Sequence, residues 1–323
     1  MRTGAILAAS LAITGCGVES GKPTLAERAV EVEAAATVAL VEGPAADAAG
    51  NMYFTETNSA RIFRLSVNGE LTVVRENSNR ANGLAFDRDD RLIACEGSDG
   101  VRKQPRVTRT DLKTGRIEVL ADRYDGKPFN GPNDVTIDSK GRIYFTDPAF
   151  NKPRPEQVGV NGVYRIDADG KLTRILAEPD IQRPNGVLVS PDDRTLYVVE
   201  ANREPGGARM IRGYDLSAEG AAANMRVFHD FFPGRSADGL CIDSNGNLYA
   251  AAGLHRRRGT TETLDTRPGV HVFSPQGQSM RYIPIPEDLL TNCAFGGPEL
   301  KTLFVTAGKT LYKVPVEVAG TRR

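Results

Sequence analysis

The sequence predicts an all-β protein: a six-bladed β-propeller of four-stranded antiparallel blades, closed by an N-terminal strand. Three observations predict it. One pattern recurs six times along the 323 residues: an Asn, Asp or Glu, a small residue, a short apolar strand, a turn, then a second strand. Each unit continues with a third strand, a Gly- or Asp-bearing turn and a fourth strand. No stretch shows helical periodicity. Four alternating strands per unit of roughly 50 residues match a propeller blade, and six units give six blades.

The units can be taken in order. Glu42-Gly43 leads to Met52-Tyr53-Phe54, Asn82-Gly83 to Leu92-Ile93, and Asn133-Asp134 to Ile143-Tyr144-Phe145. Asn185-Gly186 leads to Leu196-Tyr197-Val198, Asp238-Gly239 to Leu248-Tyr249-Ala250, and Asn292-Cys293 to Leu303-Phe304-Val305. Successive polar starts lie 40, 51, 52, 53 and 54 residues apart. The offset to the second strand is 10 in four units and 11 after Asn185 and Asn292. A residue absorbed in the hairpin turn accounts for the difference. The third and fourth strands are clearest at Val163 to Ile166 and Leu172 to Leu176, around the turn Asp167 to Gly170. The last unit lacks an obvious fourth strand, and Thr37 to Val41 is a spare one. Pairing it into the last blade removes two open sheet edges, so this segment is expected to close the ring.

The N-terminus reads as an address. Arg2 supplies positive charge, and Ala5 to Thr14 is apolar but too short to span a bilayer, which needs roughly 20 residues. It ends in Ile13-Thr14-Gly15-Cys16, which resembles a bacterial lipobox with Cys16 as the lipidated residue. An ordinary secretory signal, or a chance Cys after small residues, is the alternative. Gly17 rather than Asp follows, so inner-membrane retention is not indicated. The expected organisation is a signal peptide over 1–15, a lipidated N-terminus and tether over 16–35, the propeller over 36–316 and a tail over 317–323. The chain is then exported and lipid-anchored in the cell envelope, on the periplasmic side. Cys95, Cys241 and Cys293 sit in apolar strands and read as buried small hydrophobes.

Composition narrows the function. The chain has 41 Lys+Arg against 41 Asp+Glu, a formal net charge of zero. That argues against nucleic-acid partners and against a polybasic membrane surface. The expected partner is a small molecule, the expected state a monomer, and the only membrane contact the N-terminal lipid. With three His, a histidine-rich metal site is nearly excluded.

Propeller geometry then brings the polar starts together. The first strand of each blade lines the channel, so Glu42, Asn82, Asn133, Asn185, Asp238 and Asn292 should ring one mouth. One reading is that Asn, Asp and Gly simply suit the turn entering each blade. The other is an all-oxygen metal site built from two carboxylates and several amides. Such donors suit a hard cation, Ca²⁺ before Mg²⁺ or Mn²⁺, with Zn²⁺ a poorer match.

At these residues the chain resembles the SMP-30/gluconolactonase/LRE-like family of six-bladed propellers. The resemblance rests on Glu42-Gly43-Pro44, Asn133-Asp134, Pro184-Asn185-Gly186 and Ala237-Asp238-Gly239, in register across blades 1, 3, 4 and 5. It covers essentially all of 36–316. Ile93 to Gly97, Asn130 to Asp134 and Tyr144 to Pro148 look like the bacterial gluconolactonase branch. The resemblance implies one divalent cation held by Glu42, Asn133, Asn185 and Asp238, and hydrolysis of a sugar lactone with Asp238 as base or nucleophile. The regucalcin-like branch carries an Arg two residues before the blade-3 Asn; here that position is Gly131.

Lactone hydrolysis builds charge on a carbonyl oxygen, which a cation stabilises while Asp238 activates water. Asp134 and Asp147 are expected to support the ligands or to hydrogen-bond substrate. For Asp147, strand-end capping is the other reading. Asn82, Glu96, Asn130 and Asn292 are expected as substrate contacts at the same mouth. His255 belongs to a basic loop, His255 to Arg258, expected to overhang the mouth and attract an anionic substrate. Two other functions compete: a non-catalytic recognition propeller on the cell surface, and a phosphotriesterase-like hydrolase on the same site.

Overall fold

Each of the first five repeats folds as four antiparallel strands in chain order, and the sixth supplies three strands of its blade. The computed structural model describes residues 31–97, 104–150 and 152–322, and its strands are joined by turns and loops without a helix among the described residues. The strand nearest the axis is Val41–Ala46 in blade 1, Ala81–Phe86 in blade 2 and Val135–Ile137 in blade 3. In blades 4, 5 and 6 it is Pro184–Val189, Ala237–Ile242 and Leu290–Gly296. Each of the six packs against its two neighbours, so together they wall the channel.

In five of the six blades a side chain five residues after the polar start fixes the hairpin that follows; in blade 6 that position is Gly297. Asp47, Asp87, Asp138 and Asp243 each accept the N–H of the residue four further on, at 2.8–3.0 Å. A carboxylate there satisfies turn donors that no ladder partner reaches. Blade 4 uses Ser190 instead, and its Oγ accepts from Thr195, five residues on. The extra residue in that blade is therefore in this hairpin, as the spacing predicts.

The core lies between blades, because each sheet buries its faces against its neighbours. Met52, Phe54 and Phe63 of blade 1 pack with Phe304 and Leu311 of blade 6. Tyr249 and Val270 of blade 5 pack with Val305 and Val314 of blade 6. Cys95, Cys241 and Cys293 are free and buried, as expected of small hydrophobes.

Closure is by an N-terminal strand, but not the expected segment. Glu33–Thr37 is the outermost strand of the last blade, pairing with Thr310–Pro315. Val41 is fully buried and already starts the inner strand of blade 1, opposite Glu56. Between them the Val38 and Val41 N–H groups donate to the carbonyls of Lys309 and Gly308. The reason is hydrophobic. The Ala run of 34–36 suits a half-exposed outer edge, whereas Val41 is worth more in the core. The propeller therefore begins by Glu33 rather than at 36. The tail is also ordered onto it: Ser244 N–H donates to the Ala319 carbonyl at 2.8 Å, and Gly320 bridges Asp243. Cys16 and the signal lie outside the described residues.

Deleting 31–37 is expected to lower the melting temperature by about 5 °C or more, since it exposes a sheet edge and the Ala35 and Ala36 packing. Deleting 17–29 is expected to leave it within about 1 °C. Calorimetry of both deletions checks this, and equal melting temperatures would remove the closing role.

Candidate active site

The inner ladders of blades 1, 2, 4 and 5 slip by a bulge at the polar start, between Glu42 and Ala45, Ala81 and Leu84, Pro184 and Val187, and Ala237 and Leu240. A bulge releases a residue from the ladder and re-aims its side chain. Here it turns the polar starts toward the axis. The next position is Gly43, Gly83, Gly186 or Gly239 in those blades, because neighbouring backbones meet there. A Cβ on Gly43 would strike the Asn82 carbonyl, and one on Gly186 the backbone of Asp238.

Blade 3 carries Asp134 at the equivalent position, so one carboxylate enters this tight ring. Its Oδ2 accepts from the Val187 N–H at 3.2 Å and its Oδ1 from Asn292 Nδ2 at 3.4 Å. Asp134 and Asn292 line a cavity of about 400 Å³ in the channel body. A second cavity, of about 490 Å³, opens at the mouth and is lined by Glu42, Asn82, Asn130 and Asn133. We take the mouth cavity as the candidate active site, because three of the six polar starts, Glu42, Asn82 and Asn133, line it, while Asn185 and Asp238 stand outside its lining.

Three carboxyls lie within electrostatic reach of one another: Glu42, part-buried, lines this cavity, and Asp134 and Asp238, both buried, stand outside its lining. Burial pushes Glu42 well above the usual carboxylate range, and repulsion from Asp238 and Asp134 adds to it. Burial also raises Asp238, against the pull of Arg235, Arg203 and the Asn185 amide, which hydrogen-bonds it. Asp134 is pushed up to about 7, first by burial. The countercharge is Arg235, nearly fully buried, whose Nη2 lies 2.8 Å from Asp238 Oδ2. Arg235 Nη1 reaches Glu262 Oε1 at 3.6 Å, and Arg203 Nε reaches the same oxygen at 3.8 Å.

The residues present fit a hard cation. Glu42, Asn133, Asn185 and Asp238 offer oxygen only, and the carboxyls repel one another in a buried setting. Among the described residues no three His, Cys, Asp or Glu side chains form a metal-holding group, so the fit depends on the two amides.

Several expected contacts fall elsewhere. Glu96 is fully buried, with Oε1 held by Arg75 and Thr108 and Oε2 by Arg106 at 2.7 Å. A carboxylate closed in by two guanidiniums is a structural ion pair, not a substrate contact. Asp147 is fully buried too, and accepts the N–H groups of Asn130 and Gly131 at 2.9 and 2.7 Å. It caps the mouth loop, and burial pushes it up to about 7. Asn130 lines the cavity, but its amide is spent on Asp147, Val160 and Gly159. Asn292 faces Asp134 and the channel body rather than the mouth. His255 is exposed, bonded through Nε2 to the Ile285 carbonyl, and outside the cavity lining. Arg258 of its loop is drawn to Asp288 at 3.2 Å.

Asp134 and Asp147 bind protons more tightly folded than unfolded. Their contribution to stability is full below about pH 4 and is lost as pH rises through about 7. In chelator, the melting temperature is expected to fall between about pH 4 and 7, and Ca²⁺ should flatten that fall. A chelated protein that gains stability across this window would contradict the assignment.

The sequence pattern of the SMP-30/Gluconolactonase/LRE-like region matches residues 40–309. A gluconolactonase of Zymomonas mobilis is 31% identical over 254 residues, covering 74% of this chain and 64% of that protein, a little under two thirds of its length. Pentonolactonase XacC of Haloferax volcanii is 28% identical over 79% of this chain and 76% of its own. The structure of a Xanthomonas campestris gluconolactonase superposes with a TM-score of 0.74 at 29% identity, covering 91% of both chains.

Proposed function

The chain belongs to the SMP-30/gluconolactonase/LRE-like family, and from that premise we propose that it is a divalent-metal-dependent hydrolase of a sugar lactone. Its similarity to two named lactonases supports lactone chemistry. The observation that carries the site assignment is the meeting of Glu42, Asn185 and Asp238 beside the mouth cavity, with Asp134 beneath.

The cation, Ca²⁺ first by donor chemistry, would be held by Glu42, Asn133, Asn185 and Asp238 and would supply Lewis acidity at the lactone carbonyl. The chain's own groups do the rest. Asn82, which lines the cavity, hydrogen-bonds the sugar hydroxyls. Arg235 holds Asp238 Oδ2, and Oδ1, which would be released from the cation as substrate binds, accepts the proton of the attacking water. Water oxygen bonds to the carbonyl carbon, the ring C–O bond breaks, and the leaving alkoxide takes a proton.

The test is hydrolysis of glucono-1,5-lactone, with and without EDTA, by the chain starting after Cys16. Chelator-sensitive turnover is expected, restored by Ca²⁺. No turnover of any lactone in a panel would overturn the reading. Turnover that survives exhaustive chelation would remove the metal from it. We infer also that Cys16 carries a lipid holding the protein at the periplasmic face of the envelope. Cys16→Ala should release it from washed membranes. A wild type found wholly in the soluble periplasmic fraction would end that proposal.

A further inference from the structure

We propose that the mouth cavity selects lactones carrying a second, anionic group, a carboxylate or phosphate, which Arg80 and Lys152 receive. The proposal rests on the lactonase reading and specifies its substrate class.

Charge in the cavity is lopsided. Among its described lining residues Glu42 is the only acid, whereas Arg80, Lys152 and Arg154 are cationic. The chain as a whole is neutral, so this is a local surplus rather than a general one. Neither Arg80 nor Lys152 has an acidic partner within ion-pair distance among the described residues, in a chain rich in ion pairs. Arg154 is shared with Glu156 at 3.1 Å, but both are exposed, and such pairs contribute little. Any cation at Glu42 only deepens the positive potential. A cleft of one sign concentrates ligands of the other.

Both side chains are exposed, and the backbone around each is anchored. Arg80 has a left-handed backbone, φ 56°, after Asn79 at 56° and close to Asn77 at 53°. This conformation costs a non-glycine residue about 1 kcal/mol or more, so surrounding structure must hold it. Ser78 and Asn79 are buried, Asn79 Nδ2 donates to the Gln104 carbonyl at 3.0 Å, and the Arg80 carbonyl accepts from the Gly97 N–H. Lys152 belongs to a second lining segment, with Phe150, Pro153 and Arg154. That loop is stapled by buried Gln157, whose Nε2 donates to the carbonyls of Phe129 and Asn130 at 3.0 and 2.9 Å. A guanidinium and an ammonium on two anchored segments suit an anion at the far end of a bound ring from the carbonyl.

The experiment compares kcat/KM for glucono-1,5-lactone with its 6-carboxylate (a glucarolactone) and its 6-phosphate, for wild type and Arg80→Ala/Lys152→Ala. A parallel calorimetric arm measures binding of gluconate and glucarate at low and high salt. Wild type is expected to favour at least one anionic lactone by roughly tenfold or more. The better of the two identifies the anion. In the double variant the preference should collapse toward unity, and the glucarate preference should fade with salt in wild type alone. Equal kcat/KM for neutral and anionic lactones, or a preference unchanged in the variant, overturns the proposal. If no lactone is hydrolysed, the lactonase reading fails separately. The binding arm still decides the anion site, because equal gluconate and glucarate affinities refute it.

Discussion

Asp238→Asn is expected to lose lactone turnover by roughly 10²–10⁴-fold, the range of a general base, even at saturating metal. Asparagine keeps an oxygen of similar shape beside Asn185 but cannot accept the proton. Glu42→Gln should behave differently. Glu42 lines the cavity and is raised by burial and by Asp238. Its loss should weaken metal binding while excess Ca²⁺ restores much of the rate. The measurement is turnover against metal concentration for both variants, with metal affinity determined independently. Full recovery of Asp238→Asn at high metal would make Asp238 a ligand only. The base would then have to be sought elsewhere, with Asp134 the next buried carboxyl at the site.

The parts of this molecule that repeat are legible before folding. The polar start, the ten-residue offset and the following strands recur in each blade, and repetition turns weak Asn-Gly or Asp-Gly pairs into a register. That register brings Glu42, Asn133, Asn185 and Asp238 near one mouth. The parts that occur once are not legible in this way. Arg235 stands three residues before Asp238 in a segment otherwise made of small residues, and only the fold shows that this lone cation is buried. Glu96 sits in a stretch, Ile93 to Gly97, that resembles the family's, yet its role depends on Arg75 and Arg106, one from each neighbouring stretch of chain. Asp147 looks like a site residue because it ends a strand at the mouth. Only the backbone path of Asn130 and Gly131 shows that it caps a loop. The closing strand lies a few residues earlier than the apolar run to Val41 suggests, because Val41 suits either edge or core and burial decides between them. The basic loop at His255 is spent on Asp288 and Ile285, while the cations that face the cavity come from blades 2 and 3.

Arg235→Met should destabilise the protein by about 3–5 kcal/mol, because it strands charge rather than merely removing a contact. Arg235 is the buried link between Asp238 and Glu262, and both acids are themselves buried. Arg203 approaches Glu262 but shares Asp238 only at longer range. Methionine fills much of the same space and leaves the two carboxylates without their nearest countercharge. The loss should depend on pH. Without the guanidinium, Asp238 takes up a proton at higher pH, so the acid limb of kcat/KM should move upward. Arg235→Lys keeps a charge but loses the fork that reaches both acids, and should fall between the two. A purely structural arginine would lower the melting temperature and leave the acid limb where it was. The double variant Arg235→Met/Asp238→Asn separates the two contributions. Asparagine needs no countercharge, so the double variant should be more stable than Arg235→Met alone, with a coupling well above the few tenths of a kcal/mol seen between independent sites. Additive losses would show that Arg235 serves Glu262 and the loop around it, and that Asp238 is oriented by Asn185 instead.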